Sequence, residues 1–174
     1  MTMADMRPFV GGAASALRAA AAWIGRLGVV AAPPVARIAL ALPFLRSGLT
    51  RWDGYLSISA GTYYLFEEQF KLHLLGEVYD LPTPDILALI TSSAEIALPA
   101  LLLLGLGTRF AALGLLLMTG VIQLVFPDGW TNFHLYWAAL ALCVMALDPG
   151  PTSLDHWLSR APITRASRAA HYGQ

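Results

Sequence analysis

One carboxylate, Glu95, lies near the middle of an apolar run, Thr83 to Leu106, that is long enough to cross a bilayer. A charged residue at the centre of a membrane helix is unfavourable, by about 2.5 to 3.5 kcal/mol for Asp or a basic residue on insertion scales. Glu95 therefore needs a partner, and an Arg side chain can hold a carboxylate with two hydrogen bonds. Arg46, in a preceding apolar run, is the predicted partner. Such a pair either forms part of a ligand site or only fixes the register of two helices.

Further polar residues fall in the apolar runs or at their ends. Ser92, Gln123 and His134 join Arg46 and Glu95 in a predicted ligand-binding set, which forms a polar pocket open to the outer side of the membrane. Such a pocket suits an amphipathic ligand such as a quinone headgroup. The structural alternative is that Gln123 forms a hydrogen bond between helices and that His134 is an interfacial histidine.

The composition is that of an integral membrane protein. Hydrophobic residues make up 57% of the 174 residues and charged residues only 13%, whereas a soluble domain carries about a quarter charged residues. The expected partner is therefore the lipid bilayer, and nothing predicts binding to nucleic acid. Because Cys143 is the single cysteine, an intrachain disulfide or CxxC pair is excluded. No residue is assigned a catalytic role, and no spacing typical of a metal or haem site is present.

Four apolar segments predict an all-α integral membrane protein, an antiparallel four-helix transmembrane bundle. The predicted spans are about 35–50, 84–104, 109–126 and 133–147, separated by turn residues such as Gly and Pro. They belong to a predicted membrane domain, residues 33–158, which is preceded by an arm, residues 1–32, and followed by a basic tail, residues 159–174.

Two segments outside the spans are predicted to meet the membrane surface. In residues 1–32 three arginines share one side of a helix and large apolar residues the other, which predicts an amphipathic segment. Four glycines in this arm leave a disordered cytoplasmic arm as the alternative. In the connection 51–82, aromatic residues lie beside acids, and residues 62–76 predict a short interfacial helix that ends at Gly76.

The charges are distributed unevenly among the connections, and this predicts the topology. Most arginines precede the first span, separate the second from the third or follow the fourth: Arg7, Arg18, Arg26, Arg109, Arg160, Arg165 and Arg168. Most acids lie in the other connections. The positive-inside rule then predicts that both termini are cytoplasmic and that the connection 51–82 faces outward.

Three stretches of the sequence carry a recognisable pattern, namely ARIALALPFLRSGLTRWDG, AEIALPALLLLGLGTRF and DPGPTSLDHWL. They resemble the DoxX family of small bacterial inner-membrane proteins, and the similarity extends over about residues 35–158. The positions that carry it, besides Glu95, are Arg37, Gly48, Arg51, Gly105 and Arg109. Many family members have Lys where this chain has Arg51.

The resemblance implies a multi-pass protein of the bacterial inner membrane. It also implies an accessory role in a membrane-associated redox system, since the family is similar to a subunit of a thiosulfate:quinone oxidoreductase. A quinone is the implied cofactor, and a membrane or periplasmic redox protein the implied partner. Two alternatives stay open, namely a non-catalytic scaffold that docks a periplasmic partner through loop 51–82, and a small-solute carrier, for which four short spans are few. A homo-oligomer also stays open.

Overall fold

The computed structural model describes residues 7–54, 56–147, 149–150 and 152–160, with side chains from residue 14 to residue 159 of these ranges. The predicted tail arginines Arg165 and Arg168 lie outside the described residues. The helices and strands are α1 Arg7–Leu49, α2 Ala60–Tyr64, β1 Lys71–Leu74, β2 Glu77–Asp80, α3 Pro84–Leu104, α4 Thr108–Val125, α5 Leu135–Ala146 and α6 Leu154–Arg160. Wider π-helical turns continue α2 over Leu65–Gln69 and precede α5 over Trp130–His134.

Three of the described helices are long and apolar enough to cross a membrane. They are Ala14–Leu49 within α1, Pro84–Leu104 and Thr108–Val125. The chain is therefore a mostly helical membrane protein, as predicted. α5 has 12 residues, which is too short to cross a hydrocarbon core of about 30 Å as a helix on its own.

The predicted arm and the predicted first span form one helix. α1 has 43 residues and contains Pro33, Pro34 and Pro43, so the tandem prolines do not begin a new helix. Pro33 and Pro34 leave the carbonyls of Val29 and Val30 without helical donors, but both of these valines are exposed and their carbonyls can reach solvent. Every described residue from 14 to 32 is exposed. The location of this part of α1 on a membrane surface stays a prediction.

The core lies where α1, α3, α4 and α5 meet. α1 packs against α3 and α5, and α4 packs against the same two helices. Alanines and leucines dominate the buried set, which lets the helix backbones approach closely. It consists of Ala36, Leu40, Ala41, Phe44, Leu102, Ala111, Ala112, Leu115, Ala141 and Val144.

The interfacial helix predicted over residues 62–76 is only half correct. After the turn Leu65–Gln69 the chain forms an antiparallel hairpin of β1 and β2, in which Leu72 faces Tyr79 across the strands. Gly76 does not end a helix, because it lies with Leu75 in the two-residue hairpin turn, where both have positive φ. Cross-strand contacts and the ion pair of Lys71 Nζ with Asp80 Oδ1, at 2.8 Å, stabilise this alternative.

The turn between α3 and α4 is held by side chains from α1 and α6. Asp155 Oδ1 accepts the Gly107 N–H at 2.8 Å, and its Oδ2 accepts the N–H of Thr108 at 2.8 Å and the Thr108 hydroxyl at 2.7 Å. Arg37 Nη2 donates to Thr152 Oγ1 at 2.8 Å. We call this group the turn cluster: Arg37, Gly105, Gly107, Thr108, Thr152, Ser153 and Asp155.

Gly105 is required at the centre of the turn cluster for two reasons. Its φ is +68°, a conformation that favours glycine. A Cβ at this position would also overlap the guanidinium of Arg37 and would lie 2.6 Å from Cβ of Ser153. The motif positions Arg37 and Gly105 therefore join α1 to the α3–α4 turn, while Arg109 is exposed just beyond it.

The charge of Asp155 stabilises the turn cluster, and we predict the effect of its removal. Burial favours the protonated carboxyl, but the N–H and hydroxyl of Thr108 and the N–H of Gly107 hold the pKa of Asp155 below its usual range. Asp155→Ala should therefore lower the free energy of unfolding at neutral pH by about 2 kcal/mol. Thermal unfolding of the purified protein measures this, with Asp53→Ala as an exposed control.

The stability that Asp155 contributes should depend on pH, in a direction that its lowered pKa determines. Because the pKa of Asp155 is lower in the folded than in the unfolded chain, its contribution is complete above the unfolded value and is lost as the pH falls through the folded value. The difference in stability between the wild type and Asp155→Ala should thus shrink below about pH 4. A difference that stays constant down to about pH 2 would contradict the assigned role.

Candidate functional site

The buried carboxylate of Glu95 pairs with Arg51. Arg51 Nε lies 3.3 Å from Glu95 Oε2, and the two side chains are 14% and 4% exposed. Arg51 Nη2 also lies 3.5 Å from Ser47 Oγ, at the limit of a hydrogen bond. Glu95 therefore has a partner, as its burial requires, but the predicted pair of Arg46 and Glu95 is wrong.

Arg46 has a suitable depth along α1 but lies on the wrong face. Phe44 and Gly48 are buried, whereas Arg46 is exposed. Two residues along a helix correspond to about 200°, so Arg46 points about 160° away from both neighbours. Arg51 reaches Glu95 because α1 ends at Leu49 and the chain then turns back.

Backbone contacts fix the position of Arg51. Its N–H donates to the carbonyl of Gly48 at 3.1 Å, and its own carbonyl accepts the N–H of Ser59 at 2.9 Å. The hydroxyl of Thr62, at the start of α2, donates to the same carbonyl at 3.1 Å. The irregular segment after α1 is therefore held against α2. This fixes the backbone position from which the side chain of Arg51 extends toward Glu95.

Gly48 allows α1 to approach α3 at the level of Glu95. A Cβ at Gly48 would lie 2.9 Å from the carbonyl carbon and from Cβ of Glu95. Side chains essentially never come this close to a backbone. The glycine therefore sets the distance between the two helices beside the ion pair.

A cavity of about 290 Å³ lies beside the pair of Arg51 and Glu95. Its walls are mostly aromatic and aliphatic, and six of the lining side chains carry a polar group, the indole of Trp137 included. The lining residues are Pro43, Phe44, Ser47, Arg51, Phe66, Phe70, Leu81, Leu87, Thr91, Glu95, Val121, Ile122, Val125, Phe126, His134 and Trp137. The cavity is thus an apolar space with a charged group at one side.

Two aromatic rings also contact the guanidinium of Arg51. Its central carbon lies 5.6 Å from the centroids of both Phe66 and Phe70, within the range of cation–π contacts. Phe70 packs edge-to-face between Phe66 and Phe126, with centroids 5.0 and 5.3 Å apart. The turn Leu65–Gln69 therefore connects the ion pair to the end of α4.

His134 has a defined tautomer in the cavity wall. Gln123 Nε2 donates to the carbonyl of Pro127 at 2.9 Å, so its amide oxygen is the atom that lies 2.6 Å from His134 Nδ1. An amide oxygen can only accept, and Nδ1 therefore carries a proton. In the neutral imidazole, Nε2 is then a hydrogen-bond acceptor.

The structure brings together only part of the predicted ligand-binding set. Glu95 and His134 line the cavity, whereas Arg46, Ser92 and Gln123 do not. Gln123 instead orients His134, and Ser92 is fully buried with a hydroxyl that has no hydrogen-bond partner among the described residues.

Sequence reasoning missed the site roles of Ser47 and Arg51, and it placed Thr91 among the polar residues of the bundle without including it in the ligand-binding set; all three line the cavity. Thr91 lies one helical turn before Glu95, on the same face, and this spacing was the available signal. Among the described residues, no group of three or more His, Cys, Asp or Glu could hold a metal ion.

The contact at Gly48 yields a prediction with a matched control. Gly48→Ala should separate α1 from α3 and lower the free energy of unfolding by about 1 to 3 kcal/mol, as overpacking does in other cores. Gly120→Ala in α4 has open space around its new methyl group, so it should be neutral or stabilise the helix. Thermal unfolding of both variants tests this. Equal stability of the two variants would show that α1 and α3 are not in close contact at Gly48 and Glu95.

Comparison with known proteins supports the predicted family resemblance. A model of the DoxX family matches residues 32–128, more than half of the chain. The match includes Gly48, Arg51, Glu95 and Gly105. Searches of the curated proteins and of the solved structures find no match to the chain. From the extent of the family match and the three apolar helices, we conclude that this membrane protein belongs to the DoxX family.

Proposed function

We propose that the cavity beside Arg51 and Glu95 binds the headgroup of a quinone or a similar amphipathic molecule. In this proposal the protein is an accessory subunit of a redox system in the bacterial inner membrane. One observation supports it most directly, a buried ion pair within a cavity of aromatic and aliphatic walls. Intramembrane charges of this kind are candidates for function by default.

The proposed topology is a four-helix antiparallel bundle with both termini in the cytoplasm. The turn Trp130–His134 together with α5 would form the fourth span. In support, Arg18 and Arg26 lie in the part of α1 before its tandem prolines and Arg109 lies in the first turn of α4, whereas the exposed acids Glu67 and Glu77 lie in the connection before α3. The positive-inside rule then orients the cavity toward the outer side.

The residues present fit a quinone headgroup. A quinone ring is flat and can pack against the aromatic walls, and its carbonyl oxygens accept hydrogen bonds. Among the described residues, Arg51 Nη1 has no recorded hydrogen-bond partner, so it can donate to such an oxygen. The hydroxyls of the reduced form can donate to Glu95 or to Nε2 of His134. The cavity volume of about 290 Å³ suits a headgroup, since pockets for drug-sized ligands measure about 300 to 1,000 Å³.

The chain itself would bind and orient the ligand and exchange protons with it. A bound quinone supplies two-electron, two-proton chemistry, and a partner oxidoreductase would exchange the electrons. Glu95, Phe66 and Phe70 all contact the guanidinium of Arg51 and hold it in place. This arrangement fixes the donor before a ligand arrives, which lowers the cost of ordering on binding.

We predict that quinone copurifies with the protein when it is extracted with its native lipids. In Arg51→Gln and Glu95→Gln the bound quinone should fall more than about tenfold, because each variant removes a charged hydrogen-bonding group from the site. Arg46→Gln should retain it, because Arg46 does not line the cavity. Mass spectrometry of the lipid-soluble material measures the content. Absence of quinone from the wild type, or an equal loss in Arg46→Gln, would refute the proposal.

A second candidate function, docking of a periplasmic partner, is favoured by the hairpin. Leu75 is fully exposed and has a φ of +54°, a conformation that costs a residue such as Leu about 1 to 2 kcal/mol. Neither the turn nor the packing requires a leucine there. Val78 and Tyr79 are also exposed, and Glu77, next to the turn, adds an exposed acid to this tip. An exposed apolar tip retained in a strained conformation is typical of a contact site.

The docking candidate predicts opposite effects on stability and on binding. Leu75→Asn should stabilise the hairpin, because Asn tolerates positive φ, and should weaken attachment of a periplasmic partner. A photoreactive residue at Val78, tested in the wild type and in Leu75→Asn, measures that attachment in cells. Cross-links of equal yield in both backgrounds would count against docking through this tip.

A further inference from the structure

We propose that His134 makes the cavity selective for the reduced, hydroxyl-bearing form of a quinone, and that Gln123 positions its imidazole ring. This inference rests on the proposed function, because it names the form of the ligand that the same cavity binds. Both residues lie outside the ion pair of Arg51 and Glu95, and each has defined hydrogen bonds of its own.

The imidazole of His134 is held by three neighbours. Its Nδ1 donates to Gln123 Oε1 at 2.6 Å, and its ring packs against Trp137 with centroids 5.4 Å apart. The backbone of Gly129 approaches the Cε1 edge so closely that a Cβ there would overlap Cε1 and lie 2.7 Å from Nε2. Because only 4% of His134 is exposed, the ring has little freedom to turn in the cavity wall.

The backbone before α5 brings His134 to this position. Trp130–His134 is a π-helical turn, in which the N–H of Leu135 donates to the carbonyl of Trp130. Such turns are rare and are frequent at functional sites, because they change the direction of a side chain within a helix. Gln123 lies near the end of α4. Two helices therefore determine together which nitrogen of the imidazole carries the proton.

The Nε2 atom of His134 is an acceptor without a protein partner. Among the described residues, no hydrogen bond to Nε2 is recorded, whereas Nδ1 is bound by Gln123, which does not line the cavity. Since Nδ1 carries the proton, Nε2 of the neutral ring can only accept. A largely buried acceptor without a donor is unfavourable, and a hydroxyl of a ligand in the cavity would satisfy it.

His134 suits a ligand hydroxyl better than Glu95 does. The carboxylate of Glu95 already neutralises Arg51. A proton moved onto this carboxylate would leave the guanidinium without a counter-charge, which is costly in a buried site. The neutral imidazole has no such role in charge balance. Glu95 therefore holds the donor Arg51, and His134 supplies the acceptor.

A donor and an acceptor in one cavity distinguish the two forms of a quinone. In a hydroquinone one oxygen can accept from Arg51 Nη1, while the other hydroxyl donates to His134 Nε2. An oxidised ring has only carbonyl oxygens, so in the same pose two acceptors would face each other at His134. We expect the reduced form to bind at least about tenfold more tightly. For a two-electron couple, this ratio raises the midpoint potential of the bound form by about 30 mV.

Binding of a small quinone pair to the purified protein in vesicles tests the selectivity. The probes are tetramethyl-p-hydroquinone and tetramethyl-p-benzoquinone, measured without oxygen and corrected with protein-free vesicles. The reduced probe should bind the wild type at least about tenfold more tightly. In His134→Phe both probes should bind equally, because a phenyl ring has no acceptor, and retained binding of the oxidised probe shows correct folding. The control His156→Phe should keep the wild-type ratio, since His156 does not line the cavity.

The tautomer of His134 is a second readout, and it requires no ligand. In nitrogen NMR of protein with labelled histidine, the signals lost in His134→Phe should be those of the Nδ1–H tautomer. Gln123→Leu should shift this ring toward the Nε2–H tautomer and lower the ratio between the two probes, while the oxidised probe still binds. An unchanged tautomer and ratio in Gln123→Leu would show that Gln123 only packs, and its positioning role would fail.

The results that overturn this inference differ from those that overturn the proposed function. Equal binding of the two probes to the wild type, or tighter binding of the oxidised probe, would refute the selectivity but retain the quinone site. An Nε2–H tautomer of His134 in the wild type would remove the acceptor and would refute it as well. Binding of neither probe to the wild type would refute the proposed function and this inference together.

Discussion

The need to neutralise one buried carboxylate determines much of this structure. Glu95 lies inside the helix bundle, and breaking a buried ion pair typically costs about 3 to 5 kcal/mol because the remaining charge is uncompensated. Arg51 supplies the positive charge from outside the helix, after α1 has ended. The glycine at position 48, the hydrogen bonds from Ser59 and Thr62, and the aromatic rings on the turn Leu65–Gln69 all serve to bring this guanidinium to the carboxylate.

The packed part of α1, residues 36–48, has an arginine contact at each of its two ends, with different results. At the turn cluster, Arg37 and Asp155 join α1, the α3–α4 turn and α6 through short hydrogen bonds, with little space left around Gly105. At the other end, the pair of Arg51 and Glu95 borders an open cavity of about 290 Å³. Polar side chains that are packed without free space around them hold helices together. Polar side chains that border an apolar cavity can also bind a ligand. This difference is why we propose a ligand site only beside Arg51 and Glu95.

Hydropathy was sufficient to predict α3 and α4, since the predicted spans differ from the observed helices by at most one residue at each end. The depth of Glu95 and its need for an arginine also followed from the sequence. The identity of that arginine did not, because Arg46 faces away from α3 and the reversal of the chain after Leu49 leaves no periodic signal. The hairpin was missed for a similar reason. Leu75 occupies a turn position with positive φ, where Asn is common and leucine is rare, so the sequence did not indicate a turn there.

The central claim is that Arg51, and not Arg46, is the partner of Glu95. Two double-mutant cycles on the purified protein in bilayers test it, one with Arg51→Gln and Glu95→Gln and the other with Arg46→Gln and Glu95→Gln. From the free energies of unfolding we predict a coupling of about 1 to 3 kcal/mol in the first cycle and a value near zero in the second. No coupling between Arg51 and Glu95, or a larger one between Arg46 and Glu95, would contradict the account.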